Sequence, residues 1–256
     1  MEQVRTTNSS LQILNRDAIK YIAMFAMVLN HIAHMFLMKG TPLYEVFEDI
    51  GFFTAPVMCY FLVEGYEYTS SKFRYGLRLF VFAVISQIPF ELAFHYGSLN
   101  MIYTLLCCFL ILVVMERVQN PILRMLQCMF LMFATLGGDW PLLAPVYTIL
   151  FHNGKGSRGK LAANFVMAYG LFVLLNVQTY TDETGSWTAY AVTHALLAGL
   201  GVAAAAVAIL VLYNGKRAEK GRTFSKWFFY IFYPAHLLIL CAVRAYLGSA
   251  GLSAAG

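Results

Sequence analysis

Two residues of the first apolar stretch, Lys20 and His31, are the strongest candidates for chemistry in this sequence. They are eleven residues apart, and a helix turns about 100° per residue, so both project from one face about 16 Å apart along the axis. A fixed cation at the inner mouth of a site, with a titratable base deeper along the helix, would draw an anionic ligand from the cytosol and react it. The alternative is structural, with a snorkelling lysine and a hydrogen-bonded core histidine.

His236 is the second candidate base. It follows Tyr233 and Pro234 in the last apolar stretch and, counted from Lys226, lies at a depth similar to that of His31 on a helix that runs the same way. Two histidines at that depth could share one cavity, and a proline kink, which frees backbone carbonyls, tends to accompany a lined cavity. The alternative is a kinked helix with a satisfied imidazole.

Arg74 and Arg78 are candidate phosphate ligands. They are four residues apart and therefore share one face at the start of the third apolar stretch, with Lys72 beside them. Arginine recognises phosphate through a planar fork of donors. The positive-inside rule is the alternative, and it explains Arg78, which is a turn deeper, less well. Glu64 is a candidate partner of Lys20 or Arg78, either as a structural ion pair or as part of the site.

These side chains must be positioned by apolar helices, and the composition predicts a membrane protein. The chain has 256 residues, of which 60% are hydrophobic and 12% charged, about half the charged share of a soluble domain. We predict a single all-α domain over 1–256, a polytopic transmembrane bundle with a short polar tail at 1–15. Nine spans of roughly membrane length are predicted, or eight, because the fifth and sixth could be a pair of spans, a kinked unit or a re-entrant hairpin. They are 17–38, 46–69, 73–94, 100–118, 121–136, 140–153, 159–179, 187–213 and 225–248.

The charge distribution predicts the topology. Sixteen of the 18 basic residues fall in alternate connections or at the helix ends beside them, and the exceptions are Lys39 and Arg244. The intervening connections carry acidic residues: Glu45, Glu48, Asp49, Glu91, Asp139, Asp182 and Glu183. This pattern predicts a cytoplasmic N-terminus in a bacterial cytoplasmic membrane, with the lipid bilayer as partner. Because it already explains the basic face, we expect no nucleic-acid partner.

The cysteines give no sign of a metal site. All five lie inside apolar runs, form no CxxC pair and are odd in number: Cys59, Cys107, Cys108, Cys128 and Cys241. We expect buried thiols, with neither a disulfide framework nor a metal ion.

Several stretches together resemble the TraX family, the conjugal-transfer membrane proteins associated with N-acetylation of pilin. The family is similar to the acyltransferase-3-like transmembrane acyltransferases, whose first helix carries a basic residue, ten intervening residues and a histidine. Lys20 and His31 match that spacing. The matching stretches are RDAIKYIAMFAMVLNHIAHMF (16–36), APVMCYFLVEGYEYT (55–69), FRYGLRLFVFAVISQIPFELAF (73–94), LNMIYTLL (99–106), YNGKR (213–217) and KWFFYIFYPAHLLIL (226–240).

The resemblance implies a donor site and a base. Lys20 with Arg16, Arg74 and Arg78 would engage the phosphates of cytoplasmic acetyl-CoA, the acyl donor, and no metal would be needed. His31 would act as the base or as a transient acyl relay.

The resemblance also implies residues that shape the site. Asp17, Asn100 and His236 fall on family-like positions, and His236 is the second predicted catalytic residue. The family commonly has Asp-His where this chain has Asn30 and His31, so a carboxylate beside the imidazole is missing. Relatives also often place a basic residue near 52–54, where this chain has Phe, Phe and Thr.

The predicted function is a transmembrane acyltransferase that moves an acetyl group from acetyl-CoA to an amine or hydroxyl acceptor, a pilin N-terminus or an envelope glycan. Two alternatives stay open at this point. One is a small-solute or proton transporter that uses His31, Glu64 and His236 as a relay. The other is a non-catalytic scaffold for envelope assembly.

Overall fold

The computed structural model describes residues 11–95, 97–181 and 187–249, and over these ranges the predicted all-α class is confirmed. Short 3₁₀ turns follow α6 and α8, and a π-helical turn follows α10. The helices are α1 (Arg16–Phe36), α2 (Pro42–Gly51), α3 (Thr54–Tyr68), α4 (Lys72–Phe94), α5 (Met101–Arg117), α6 (Pro121–Ala134), α7 (Leu143–Gly154), α8 (Arg158–Asn176), α9 (Ala189–Ala198), α10 (Leu200–Val207) and α11 (Arg222–Ser249).

Within the described residues, six helical segments are long and apolar enough to cross a membrane, which makes the chain a multi-pass membrane protein. They are α1, α2 with α3, α4, α8 with its 3₁₀ turn, α9 with α10 and its π turn, and α11. The other three predicted spans fall on α5, α6 and α7, which have 17, 14 and 12 residues. At 1.5 Å per residue, α7 is about 18 Å long against a hydrocarbon core of about 30 Å. The count of nine therefore stays a prediction.

Five helices pack together on one side of the bundle: α1, α3, α4, α5 and α11. α1 packs against α3 and α11, α4 packs against α5 and α11, and α3 packs against α5. α7 packs against α3, and α8 packs against α7, whereas α6 lies against α5 with none of its residues buried. Large apolar side chains such as Phe25, Ile88, Phe130 and Val166 are exposed, as expected of residues that face lipid.

Two predicted spans are broken where backbones approach closely. The second is divided at Phe52 and Phe53 into α2 and α3, and the eighth at Gly199 into α9 and α10. A Cβ on Gly201 would lie 2.5 Å from the carbonyl oxygen of Asp49, so only glycine lets α10 pack against the α2–α3 junction. Patterns of hydrophobicity do not report such contacts.

Basic residues from separate connections gather at one end of the bundle. Arg16, Arg74 and Arg217 line one cavity, and Lys155 forms an ion pair with Glu67 close to it. This grouping agrees with alternating helices, while the cytoplasmic orientation of that end stays a prediction. Three charged residues used for the topology lie outside the described residues: Arg5, Asp182 and Glu183.

Arg244, an exception to the charge pattern, has a structural role at the opposite end. Its guanidinium donates hydrogen bonds of 2.8 and 2.6 Å to the carbonyl oxygens of Ala93 and Leu92. These are among the last carbonyls of α4, which have no partner within the helix. Arg244 therefore ties the C-terminus of α4 to α11.

Candidate functional site

The two candidate histidines are in direct contact. His31 of α1 and His236 of α11 place Nδ1 and Nε2 2.8 Å apart, with ring planes 8° from parallel. Each residue is 6% exposed. The structure thus brings together two residues 205 positions apart in the chain.

The hydrogen bonds of this pair determine which nitrogen carries each proton. Nδ1 of His236 lies 2.8 Å from the carbonyl oxygen of Phe232, and a carbonyl only accepts, so this nitrogen is the donor. Because burial disfavours a charged ring, His236 is neutral and its Nε2 accepts. His31 must then donate through Nδ1. Among the described residues, Nε2 of His31 then has no hydrogen-bond partner, so it keeps the free lone pair that a base or nucleophile requires.

Aromatic rings hold the pair in place. Phe94 meets the His31 ring edge-on at 5.0 Å between centroids, and Phe232 stacks on His236 at 4.9 Å. Tyr233 stands edge-on to both imidazoles, at 6.4 Å from His31 and 5.7 Å from His236. Such ring packing restricts the orientation of both imidazoles.

A cavity of about 520 Å³ opens at the end of the bundle where α1, α4 and α11 begin. On α1 it is lined by a stripe at helical spacing that runs from Lys20 through Met24 to Met27, one turn before His31. On α11 it reaches Phe232 and Tyr233, in the turn before His236. The inner end of the cavity therefore lies one helical turn from the histidine pair.

The cavity is strongly cationic. Asp17 is the one carboxylate in its described lining, and it lies 4.0 Å from Arg16. Over the described residues, Arg16 is also the one cation of this cavity that forms an ion pair with a carboxylate. Of the described residues that line the cavity, seven are basic: Arg16, Lys20, Arg74, Arg78, Arg217, Arg222 and Lys226.

The helices that carry these cations add to the positive potential. α1, α4 and α11 all begin at the mouth, and a helix N-terminus carries about half a positive charge. Cations in the first turn of a helix are unfavourable for folding unless an anion offsets them. Burial, with the Arg16 charge beside it, lowers the pKa of Arg217, a sign of the same crowding. This arrangement favours binding of a multiply charged anion.

Two of the cations are held where a ligand would meet them. The ammonium of Lys20 lies 4.8 Å from the ring centroid of Phe229, and the guanidinium of Arg78 lies 5.5 Å from that of Tyr75. Nε of Arg78 is buried and has no hydrogen-bond partner within the part of the chain that the structure describes. An unsatisfied buried donor is uncommon in folded proteins, so this one is available to a bound anion.

All four predicted donor-site residues, Lys20, Arg16, Arg74 and Arg78, line this cavity. Sequence reasoning missed three more residues, because the positive-inside rule alone accounted for them. One signal was present: α11, like α1, carries a cation about three turns before its histidine. The missed residues are Arg217, Arg222 and Lys226.

Glu64 differs from its predicted pairing. Its carboxylate accepts from Nη1 of Arg16 at 3.4 Å and from the Tyr213 hydroxyl at 2.7 Å, rather than from Lys20 or Arg78. It lines a second cavity of about 480 Å³, separated from the first by this ion pair. The predicted partners are wrong because Glu64 lies on the α3 face that is turned toward Tyr213.

Two further predicted residues support helices near the site. Asn30 donates to the carbonyl oxygen of Glu48 at 3.4 Å and touches Gly51, so it faces α2. Asn100, 1% exposed, caps α5 by accepting from two backbone N–H groups and donates to the carbonyl oxygen of Ala83. Both side chains position helices that carry lining residues.

The thiols play no part in this arrangement. The five cysteines are free, and three of them are buried. Over the described residues, no group of three His, Cys, Asp or Glu side chains is placed to hold a metal ion.

Comparisons with known proteins agree on one family. A family model described as TraX protein matches residues 15–244. The chain is also 30% identical over 244 residues to a probable fimbrial assembly protein FimC, serogroup H1, of Dichelobacter nodosus, a match that covers 90% of this chain and 95% of the relative. No solved structure matches the chain significantly. The family model covers nearly the whole bundle, and the chain belongs to the TraX family.

Proposed function

We propose that this protein is a membrane-embedded acyltransferase that takes an acetyl group from acetyl-CoA at the cytosolic side of a bacterial cytoplasmic membrane. One observation carries the proposal: a cavity lined by seven cations and one carboxylate ends one turn from a histidine pair with a free Nε2. An anion-binding entrance and a buried base on one axis are the two requirements of such a reaction.

Donor binding follows from the charges at the mouth. Coenzyme A carries several phosphate charges, and forked arginine donors bind such groups strongly. Beyond the mouth the lining becomes apolar, with Met24, Met27, Met58 and Leu79, which suits the uncharged arm that bears the thioester. The donor would thus enter with its phosphates held outside and its acyl group toward His31.

The chemistry assigned to His31 is proton transfer. The acceptor nitrogen or oxygen attacks the thioester carbonyl carbon, and Nε2 of His31 takes the proton that the acceptor loses. The C–S bond breaks, and the same proton passes to the departing thiolate. His236 holds His31 in the tautomer that leaves Nε2 free, as the hydrogen bond between them requires.

A pilin is the proposed acceptor. The relative of Dichelobacter nodosus is described as a probable fimbrial assembly protein. The resemblance to the TraX family implies pilin N-acetylation. A pilin amine and an envelope glycan hydroxyl both supply the nucleophile that the reaction needs. The spacing of Lys20 and His31, similar to that of acyltransferase-3-like enzymes, supports the same reaction class.

A transporter is supported less well. A proton relay through His31, Glu64 and His236 would need Glu64 within reach of an imidazole, whereas its hydrogen bonds go to Arg16 and Tyr213. A scaffold without activity would need no free imidazole nitrogen and no unpaired cations. The geometry therefore favours the acyltransferase over both.

Calorimetry on the purified protein in detergent tests the donor site. Acetyl-CoA is titrated into the wild type and into Arg78→Ala, with Arg158→Ala as the matched control because that arginine lines the second cavity. We expect micromolar binding that weakens in Arg78→Ala and persists in the control. Acetyl-dephospho-CoA, which lacks one phosphate, should bind more weakly than acetyl-CoA. Absence of binding to the wild type would overturn the proposal.

A further inference from the structure

Tyr233 is a buried hydroxyl that the mechanism above does not use. It is 5% exposed and lines the inner end of the cationic cavity on α11. Its ring stands edge-on to both imidazoles of the histidine pair. Tyr233 therefore lies both at the inner end of the cavity and beside the histidine pair.

The oxygen of Tyr233 is bound to the N-terminus of a helix. The backbone N–H of Met101, the first residue of α5, donates to it at 3.4 Å. The next two N–H groups of α5, of Ile102 and Tyr103, are taken by the side chain of Asn100. The positive end of a 17-residue helix therefore faces the phenol oxygen and polarises its O–H, while the charge of the Asp139 carboxyl acts on the same hydroxyl in the opposite sense.

Among the described residues, the Tyr233 hydroxyl forms one hydrogen bond, the one that its oxygen accepts from Met101. Its hydrogen therefore has no acceptor there. Met101 and Ile102 line the same cavity, so the helix terminus is part of the cavity wall. A buried donor without an acceptor, at the positive end of a helix, is the arrangement that stabilises an oxygen anion.

We propose that the Tyr233 hydroxyl, polarised by the N-terminus of α5, donates a hydrogen bond to the carbonyl oxygen of the acyl thioester as negative charge develops there. The inference rests on the proposed function. As the acceptor attacks the carbonyl carbon, the C=O π electrons move to the carbonyl oxygen. The Tyr233 hydroxyl donates a hydrogen bond to this oxygen and keeps its proton. When C=O re-forms, the C–S bond breaks and the proton held by His31 goes to the thiolate.

Tyr233→Phe removes the hydroxyl alone, and Tyr21→Phe is its matched control. Tyr21 of α1 also uses its hydroxyl against α11, at 3.1 Å from Ser225, but it lies outside the cavity lining. We expect Tyr233→Phe to lower kcat for acetyl transfer to a pilin peptide by about 10²-fold, as for other oxyanion donors. The Kd of acetyl-CoA should stay within twofold, and Tm should change no more than in the control.

The helix terminus is tested through Met101. Met101→Pro removes the N–H that polarises Tyr233, yet proline suits the first position of a helix. Asn100, at φ −71° and ψ 165°, already has the conformation required before proline. Met101→Ala shortens the side chain and keeps the N–H. We expect kcat of the proline variant to be about tenfold below that of the alanine variant, with similar Kd.

The two proposals fail in different ways. If the wild type neither binds acetyl-CoA nor transfers its acetyl group, the proposed function is wrong. If the wild type transfers acetyl and Tyr233→Phe does so with an unchanged kcat, the role of Tyr233 is wrong and the acyltransferase stands. If Tyr233→Phe weakened acetyl-CoA binding or lowered Tm while kcat stayed unchanged, the proposed role would also be overturned. Tyr233 would then be a packing residue.

Discussion

Two cavities of similar size lie side by side at the basic end of the bundle, and they differ in how their charges are matched. The first, about 520 Å³, has seven cations and one carboxylate in its lining. The second, about 480 Å³, has Lys155 and Arg158 against Glu64 and Glu67. Lys155 forms an ion pair with Glu67, and Glu64 pairs with Arg16 in the wall between the cavities.

The difference separates topology from function. The positive-inside rule places basic residues in the connections on one side of a membrane, and basic residues line both cavities. Only in the first do they converge, largely without carboxylate partners, around a space that leads to a buried base. Unmatched charge around a cavity is therefore the feature that indicates an anion site, and the number of basic residues is not.

The largest effect is expected at His31, whose substitution tests whether acetyl transfer depends on the first cavity alone. His31→Ala removes the free imidazole nitrogen, and we expect acetyl transfer to fall by at least about 10²-fold, with donor binding within twofold. His152→Ala is the control, because His152 lies 3.8 Å from Glu67 beside the second cavity. Equal activity of both variants in a transfer assay read by mass spectrometry would remove the base from the mechanism.

Substitution of His236 is expected to have the next largest effect on kcat, because His236 accepts the hydrogen bond from Nδ1 of His31. His236→Leu cannot accept the proton of His31 Nδ1, so we expect kcat to drop by about 10- to 100-fold while the Kd of acetyl-CoA is kept. In His236→Gln the side-chain oxygen can accept that proton, and part of the loss should be recovered. Two variants with the same kcat would show that His236 only fills space, and a pH–rate profile of each tests the assignment further.

Sequence patterns foresaw much of the fold and of this site for a physical reason. Helical spacing and charge can be read from neighbouring residues in the chain. The stripe from Lys20 to His31 and the shared helix face of Arg74 and Arg78 can therefore be found without coordinates. The shared depth of His31 and His236 follows from counting along two apolar helices.

What the sequence did not predict depends on contacts between helices. The partner of Glu64 is set by how α3 is rotated against α1 and the Tyr213 connection, which periodicity does not encode. The close approach of Gly201 to the α2–α3 junction is likewise a contact between helices. The roles of Arg217 and Tyr233 require knowledge of which residues share a cavity.

Removal of one arginine from each cavity tests whether unmatched charge attracts the donor. Arg78→Ala takes one unmatched guanidinium from the first cavity, and we expect the Kd of acetyl-CoA to rise about tenfold, the worth of a charge-assisted hydrogen bond. Arg158→Ala takes one from the second cavity, where the Kd should change less than twofold. Titration calorimetry on both variants measures this, and equal losses would mean that the whole basic end, rather than one cavity, attracts the donor.

The smallest effect comes from adding a carboxylate to each cavity in turn. Ser70 lines the mouth of the first cavity and Ser157 lines the second, where it caps α8 through the backbone N–H of Lys160. Aspartate caps a helix as well as serine does, so Ser157→Asp should fold normally and bind acetyl-CoA like the wild type. Ser70→Asp should raise the Kd about threefold, as expected of one partly exposed charge pair.

Salt distinguishes charge from shape in this pair of variants. At 1 M salt the screening length is about 3 Å, so the threefold difference between Ser70→Asp and the wild type should disappear if it is electrostatic. A difference that persists would mean that the longer side chain obstructs the mouth. Weaker binding in Ser157→Asp at low salt would mean that the two cavities share one field, and the wall formed by Arg16 and Glu64 would not separate them.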